Sequence, residues 1–213
     1  DVSALIRRRM QEQEEVLRGG VGLINSAGRV SRAQWRSFVG SLKLEKFYPG
    51  LQGYGYSLVV SPRDKTAHID AIRSEGFEKY DINPPGLRDV YTSIVYLEPF
   101  KGRNLRAFGY DMFSEPTRRA AMERARDTGE AAVSGGVTLV QEYATDVQRG
   151  FLMYLPVYRG GQTPTTVKER RAKLIGYVYS PFRFGDLMRG ILGAGDSLIN
   201  FAIYDGAKIA PTT

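Results

Sequence analysis

The first 47 residues carry a helical pattern of hydrophobic positions. Apolar side chains recur every third or fourth residue from Val2 to Ile24, with charged residues between them, which predicts one long amphipathic helix. Gly19, Gly20 and Gly22 lower the helix propensity in the second half of this stretch. We therefore expect a bend or a break there.

Beyond Pro49 the pattern changes to short β-rich runs separated by turn residues, which indicates antiparallel sheet. A second helix, Arg32–Leu44 with Ser31 as N-cap, precedes this change. The predicted strands are Tyr54–Val60, Tyr91–Leu97, Asn104–Met112, Gly136–Tyr143, Arg149–Tyr158, Leu174–Ser180 and Leu198–Tyr204. Further helices are predicted over Pro62–Ser74, Glu115–Thr128 and Phe182–Leu192. The expected fold class is α+β, a long N-terminal helix followed by antiparallel sheets.

Composition excludes several classes of function. The 213 residues are 42% hydrophobic and 25% charged, which is typical of a globular chain. The chain has no cysteine and a single histidine, His68, so disulfides, thiol nucleophiles and metal sites built from several Cys or His side chains are excluded. No cofactor is expected, and no nucleophile lies near a suitable base, so we do not expect an enzyme.

The net charge of +7 raises the question of a nucleic-acid partner. The basic residues are scattered along the chain and are not interleaved with aromatic residues that would stack on bases. We therefore expect no binding of nucleic acid.

The predicted strand Asn104–Met112 offers a candidate ligand site. Side chains alternate between the two faces of a strand, which places Ala107, Gly109 and Asp111 on one face. Two small residues beside an acid leave volume for a ligand, and the carboxylate would accept hydrogen bonds from its N–H groups. Asp111 also lies three residues before Ser114, the expected N-cap of the next helix. Satisfying backbone amides, or pairing with an arginine of that helix, is the structural alternative.

Tyrosine is the second candidate for ligand contact. The chain has 13 tyrosines, and several of them, including Tyr96 and Tyr154, fall on predicted strands. An aromatic ring with a polar tip suits a flat ligand. Ordinary packing of half-buried strands explains most of these tyrosines equally well.

Five segments, in this order along the chain, carry a family resemblance. They are YPGLQG at residues 48–53, IVYLEPF at 94–100, GYDMFS at 109–114, RARDTG at 124–129 and PVY at 156–158. Together they resemble the CHASE domain, the extracytoplasmic ligand-sensing domain of bacterial sensor histidine kinases and diguanylate cyclases and of plant cytokinin receptors.

The resemblance implies an organisation in three parts. Residues 1–47 would form a helical stalk, residues 48–170 a membrane-distal PAS-like module that binds the ligand, and residues 171–213 a membrane-proximal PAS-like module. Transmembrane helices outside this chain would flank it and place it in the periplasm. The expected function is a small-molecule sensor of a histidine kinase or diguanylate cyclase.

The resemblance also implies residues of the ligand site. In plant members an aspartate contacts the adenine ring of cytokinin, and a main-chain group of the following strand completes the pair. The matching positions are Asp111 and either Leu139 or Val140, and Tyr154 stands where the plant receptors carry a threonine-bearing strand. The expected ligand is a cytokinin-like adenine derivative. The alternative is a structural or protein-interaction module of the same fold, whose pocket is filled by its own side chains.

A homodimer is expected through the N-terminal helix. Its apolar stripe would form a helix–helix seam along Leu5, Ile6, Met10, Leu17 and Ile24. Packing of this stripe on its own domain is the alternative.

Overall fold

The N-terminal region folds as three helices. The computed structural model describes residues 2–48, 50–142 and 147–192. Helix α1, Val2–Ala27, is continuous, so its glycines do not break it. Helix α2, Arg32–Ser41, begins after Ser31, whose hydroxyl accepts a hydrogen bond from the Gln34 backbone N–H while the Gln34 side chain accepts one from the Ser31 N–H. Helix α3, Leu44–Phe47, follows.

An antiparallel sheet of six strands follows within the described residues. The strands are β1 (Tyr54–Val60), β2 (Tyr91–Glu98), β3 (Ala132–Val133), β4 (Val137–Thr138), β5 (Arg149–Tyr158) and β6 (Leu174–Arg183). Their order is β2-β1-β6-β5-β3, and β4 also pairs with β5. With its long N-terminal helix and this sheet, the molecule has the α+β fold that the pattern predicted.

The remaining helices lie between strands, except the last one, which follows β6. They are α4 (Lys65–Ser74), α5 (Pro116–Thr128), α6 (Val167–Lys173) and α7 (Phe184–Leu192), with two 3-10 helices at Gly102–Ala107 and Met112–Ser114. The N-cap of α5 is Glu115 and not Ser114. The helix ends at Gly129 in the left-handed conformation, with φ of 80°, as the sequence predicted.

The sheet separates the two larger hydrophobic cores of the described residues, and a third, smaller cluster contains Val60, Ile82 and Tyr91. The first core lies against α1 and α2 and includes Leu17, Trp35 and Tyr54. The second core lies against α5 and includes Met122 and Tyr177. Because successive strand residues point to opposite faces, each central strand contributes to both cores.

Helix α1 packs partly on its own domain. Leu17 is 0% exposed and Ile24 is 8% exposed, and both belong to the first core. These two residues of the expected dimer seam therefore pack within their own domain, which was the alternative to a helix–helix contact. Leu5 is 47% exposed, and the homodimer stays a prediction for the N-terminal half of the helix.

Two predicted strands are wrong in whole or in part. Where the strand Asn104–Met112 was expected, the chain forms the first 3-10 helix, a turn and the start of the second 3-10 helix. The strand expected over Gly136–Tyr143 is reduced to β4, and Tyr143 lies outside the described residues.

Gly109 explains why no strand forms before Asp111. Its φ is 82°, a left-handed conformation, and a Cβ at this position would overlap with the carbonyl oxygen of Asp81. Ala107, Gly109 and Asp111 therefore do not share a strand face, and the geometric argument for a cavity beside Asp111 is wrong.

Strand β6 belongs to the same sheet as the strands of the expected distal module. It pairs with β1 on one side and with β5 on the other, although the resemblance assigned residues 171–213 to the proximal module. The expected strand Leu198–Tyr204 lies outside the described residues. In the part of the chain that the structure describes, no helix is long and apolar enough to cross a membrane.

Candidate functional site

The sheet face that packs against α5 carries a row of aromatic and small residues. Tyr154 of β5 pairs with Tyr179 of β6, Tyr179 with Gly55 of β1, and Gly55 with Leu97 of β2. A Cβ at Gly55 would lie 2.6 Å from the Tyr179 ring, so the glycine lets this ring lie against the β1 backbone. The ring centroids of Tyr154 and Tyr179 are 6.3 Å apart.

Three buried hydroxyl groups on this face have no hydrogen-bond partner among the described residues. They belong to Ser57, Tyr154 and Tyr179, each of which is 0% exposed. A buried hydroxyl without a partner costs about 1–3 kcal/mol, so such groups call for a ligand or water. Burial raises the pKa of both tyrosines above the usual range, which keeps their hydroxyls protonated and able to donate.

Helix α5 brings a buried positive charge to the second core through Arg118. The residue is 4% exposed, and its guanidinium donates to the Tyr110 hydroxyl at 3.2 Å and to the Thr138 carbonyl at 2.9 Å. This charge opposes the effect of burial on the pKa of Tyr154 and Tyr179. Arg118 therefore lies within electrostatic reach of both hydroxyls.

Asp111 is buried beside this core, and its carboxylate binds the protein. Oδ1 accepts hydrogen bonds from the Thr92 backbone N–H at 2.8 Å, the Thr92 hydroxyl at 3.1 Å and the Phe113 N–H at 3.1 Å. Oδ2 lies 3.4 Å from Nε of Arg88 and has no hydrogen bond in the described part of the chain. The carboxylate thus satisfies backbone amides, and the arginine beside it precedes β2 and is not part of α5.

Four of the predicted site residues belong to the second core or pack against it. Ala107, Leu139 and Tyr154 are buried in it, and Val140 packs against it. The Leu139 carbonyl, one of the expected main-chain groups, accepts a hydrogen bond from the Glu142 N–H at 3.0 Å.

Two other predicted residues lie elsewhere. Tyr96 packs on the first core, and its hydroxyl donates to the Val30 carbonyl at 2.6 Å. Gly109 makes a turn against the Asp81 backbone. Neither shares the sheet face that carries Tyr154.

Sequence reasoning missed Ser57, Tyr179 and Arg118. The signal for Tyr179 was its position in a β-rich run with tyrosines at alternate residues, and the signal for Ser57 was a lone hydroxyl within an apolar strand. Arg118 lies in a stretch where arginines alternate with carboxylates, which is typical of a solvated helix face.

Three open cavities lie at other places on the surface. They measure about 420, 520 and 430 Å³ and lie beside α2 and α3, between α3 and the first 3-10 helix, and along residues 76–83. Asp111 lines none of the three, and at 0% exposure it does not contact solvent.

Comparison with known proteins decides the family. The sequence model of the CHASE domain matches residues 28–213. The chain belongs to the CHASE domain family. The Hybrid signal transduction histidine kinase A of Dictyostelium discoideum is 29% identical over 146 residues, which cover 62% of this chain and 7% of that relative. The chain therefore spans a small part of this curated relative.

Family membership confirms the resemblance carried by the five segments. A CHASE domain is an extracellular sensor module of a signalling receptor and is not itself catalytic. Because a sensor acts by binding, the buried polar groups of the second core are candidate ligand contacts.

Proposed function

We propose that this CHASE domain binds a small molecule between α5 and the sheet face of the second core. The observation that carries the proposal is the pair of neighbouring tyrosines, Tyr154 and Tyr179, whose buried hydroxyls have no partner among the described residues. Two such groups lower stability unless something in their environment hydrogen-bonds to them. A ligand with polar atoms at this place supplies those bonds.

The proposed ligand is a flat, cytokinin-like adenine derivative. Its ring would pack against the apolar side chains of Ala107, Leu139 and Val140, while its nitrogen atoms would meet the hydroxyls of Tyr154 and Tyr179. Oδ2 of Asp111 is the remaining acceptor at the border of this core. The second core is closed in this conformation, so binding requires α5 and the 3-10 helices to move.

We further propose that the domain is the periplasmic sensor of a transmembrane receptor with a histidine kinase or diguanylate cyclase output. A ligand shifts a receptor only through its different affinity for two conformations. Separation of α5 from the sheet on binding would provide such a difference. Helix α1 packs on the other face of the same sheet and would carry the change to the membrane.

The test measures binding of adenine and N6-substituted adenines by calorimetry and by thermal unfolding. A ligand present at a hundred times its dissociation constant adds about 2.7 kcal/mol to the free energy of unfolding. We expect Tyr154→Phe and Tyr179→Phe each to weaken binding roughly tenfold, because each removes one hydrogen bond of about 1 kcal/mol or more. The free energy of unfolding without ligand should stay the same or rise.

The matched control is Tyr177→Phe. Tyr177 lies on the same strand and face, but its hydroxyl donates to the Met122 carbonyl at 3.0 Å. Its loss should lower stability by about 1 kcal/mol and leave affinity unchanged. Equal affinity of the wild type, Tyr154→Phe and Tyr179→Phe would overturn the assignment of the site.

A structural or protein-interaction module is the second candidate function. It is favoured by the closed packing of the second core, where Ala107 is 1% and Leu139 is 2% exposed, and by the protein hydrogen bonds that engage Oδ1 of Asp111. If no purine stabilises the domain, this second function gains support over the first.

A further inference from the structure

A second place with the features of a ligand site lies between α3 and the first 3-10 helix, away from the second core. Here a cavity of about 520 Å³ opens at the surface, large enough for an amino acid. Leu44, Leu51 and Pro99 supply an apolar wall. An occupant therefore has an apolar part of limited size.

Charged groups of both signs stand at the rim of this cavity. Glu45 comes from α3, Lys101 is the N-cap of the first 3-10 helix, and Arg103 lies within that helix. The side chains of Glu45 and Lys101 are 83% and 74% exposed, and their nearest charged atoms are 3.7 Å apart. An exposed pair of this kind contributes little to stability, so both groups are available to a ligand.

Asn104 adds a buried acceptor to the same cavity. The residue is 2% exposed, and its amide nitrogen donates to the carbonyls of Gln52 and Pro99, both at 3.0 Å. These two carbonyls fix the orientation of the amide, because a flipped amide would place oxygen against oxygen. Oδ1 is left without a hydrogen bond among the described residues. Oδ1 itself has almost no accessible surface, so a donor on a ligand reaches it only when the neighbouring lining side chains move aside.

We propose that this cavity binds a small zwitterion, an α-amino acid with an apolar side chain. The ammonium group faces the Glu45 carboxylate and, once the lining has moved aside, donates to Oδ1 of Asn104. The carboxylate faces Lys101 and Arg103, and the apolar side chain packs on the wall that includes Leu44. Each part of the ligand thus meets a group of the matching chemistry.

Arg103 connects the cavity to the end of the sheet. Its guanidinium lies 3.8 Å from Oε1 of Glu142, and Glu142 binds Arg183 of β6 at 2.9 Å. Arg183 in turn lies 3.0 Å from Asp186 of α7. Substitution of Arg103 would disturb this buried network, so it does not serve as a test of binding.

The test uses calorimetric titration of the chain with L-leucine. We expect binding with a dissociation constant of about 1 mM or lower. Two fragments of leucine separate the contacts: 4-methylpentanoate lacks the ammonium group, and 3-methylbutylamine lacks the carboxylate. We expect both to bind at least about tenfold more weakly than leucine, since each loses a charge-assisted contact.

Variants of exposed residues complete the test. Glu45→Gln and Lys101→Gln should each weaken leucine binding at least about threefold, while Lys46→Gln, on the same helix but outside this cavity, should not. Absence of any binding heat with leucine up to about 10 mM would overturn the proposal. So would a fragment that binds as tightly as leucine does, or a Glu45→Gln/Lys101→Gln double variant that binds leucine as tightly as the wild type does. Adenine binding at the second core is unaffected by these variants, so the two sites succeed or fail separately.

Discussion

The two oxygens of the Asp111 carboxylate meet different surroundings. Oδ1 holds the Thr92 and Phe113 amides and so ties the second 3-10 helix to β2. Oδ2 faces the guanidinium of Arg88. The residue that the family resemblance singles out for the ligand therefore also holds the local structure together.

We predict that Asp111→Ala destabilises the fold by about 3 kcal/mol, because it leaves the buried Thr92 N–H without an acceptor and Arg88 without its carboxylate. Asp111→Asn keeps an oxygen for the amides and should cost less, about 1 kcal/mol. Urea unfolding of both variants measures the difference. Equal stability of the alanine and asparagine variants would contradict a structural role of Oδ1.

Residue patterns and the family resemblance together selected three residues that lie in the second core. Ala107, Leu139 and Tyr154 do meet in one core, but the argument that joined Ala107 to Asp111 relied on a strand that does not form. Tyr179 becomes a neighbour of Tyr154 only through the register of β5 and β6. That register is a long-range pairing, which no local pattern of a single sequence specifies.

At the scale of elements, the packing of α1 on β1 requires a glycine at position 20 but not at position 22. The Gly20 N–H donates to the Tyr54 hydroxyl at 3.0 Å, and that hydroxyl donates to the Val16 carbonyl at 2.7 Å. A Cβ at Gly20 would overlap with this hydroxyl, whereas a Cβ at Gly22 would meet nothing within 4 Å. Of these two glycines, only Gly20 is needed for the close approach of α1 to Tyr54 of β1.

We predict opposite effects for alanine at these two positions. Gly20→Ala should lower the free energy of unfolding by roughly 1–3 kcal/mol, because Tyr54 or the helix must shift. Gly22→Ala should raise it by about 0.5–1 kcal/mol through better helix propensity. Chemical denaturation followed by far-UV circular dichroism measures both. A destabilising Gly22→Ala would show that the helix surface there is not free.

Elements with strong, long patterns were predicted well. Strands β1 and β5 have the predicted bounds, because long β-rich runs end there at turn residues. Helix α6 was not predicted, although Thr166 and Glu169 form a capping box that the sequence contains. None of its seven residues is buried, so the sequence lacks the periodic hydrophobic positions by which an amphipathic helix is predicted.

At the scale of the whole molecule, the central strands join the two cores. In β1, Tyr54 belongs to the first core and Gly55 lies under Tyr179 of the second. In β6, Val178 and Tyr179 face opposite cores. Because these strands bury residues in both cores, unfolding of the sheet on one face would expose the other face as well. We therefore expect a ligand bound in the second core, as proposed above, to stabilise the packing of α1 without contacting it.

We predict that the two cores unfold together. Trp35, the one tryptophan of the chain, is 1% exposed in the first core, with the Tyr54 ring centroid 5.5 Å away. Its fluorescence and the far-UV circular dichroism of the whole chain should therefore show the same midpoint in urea, since two-state unfolding makes different probes coincide. A ligand bound beside Tyr154 should move both curves by the same amount, because the strands transmit the stabilisation to Trp35. A fluorescence transition at lower urea than the dichroism transition would instead show that α1 and α2 separate from an intact sheet, and the coupling between the sensor site and the N-terminal helix would then fail.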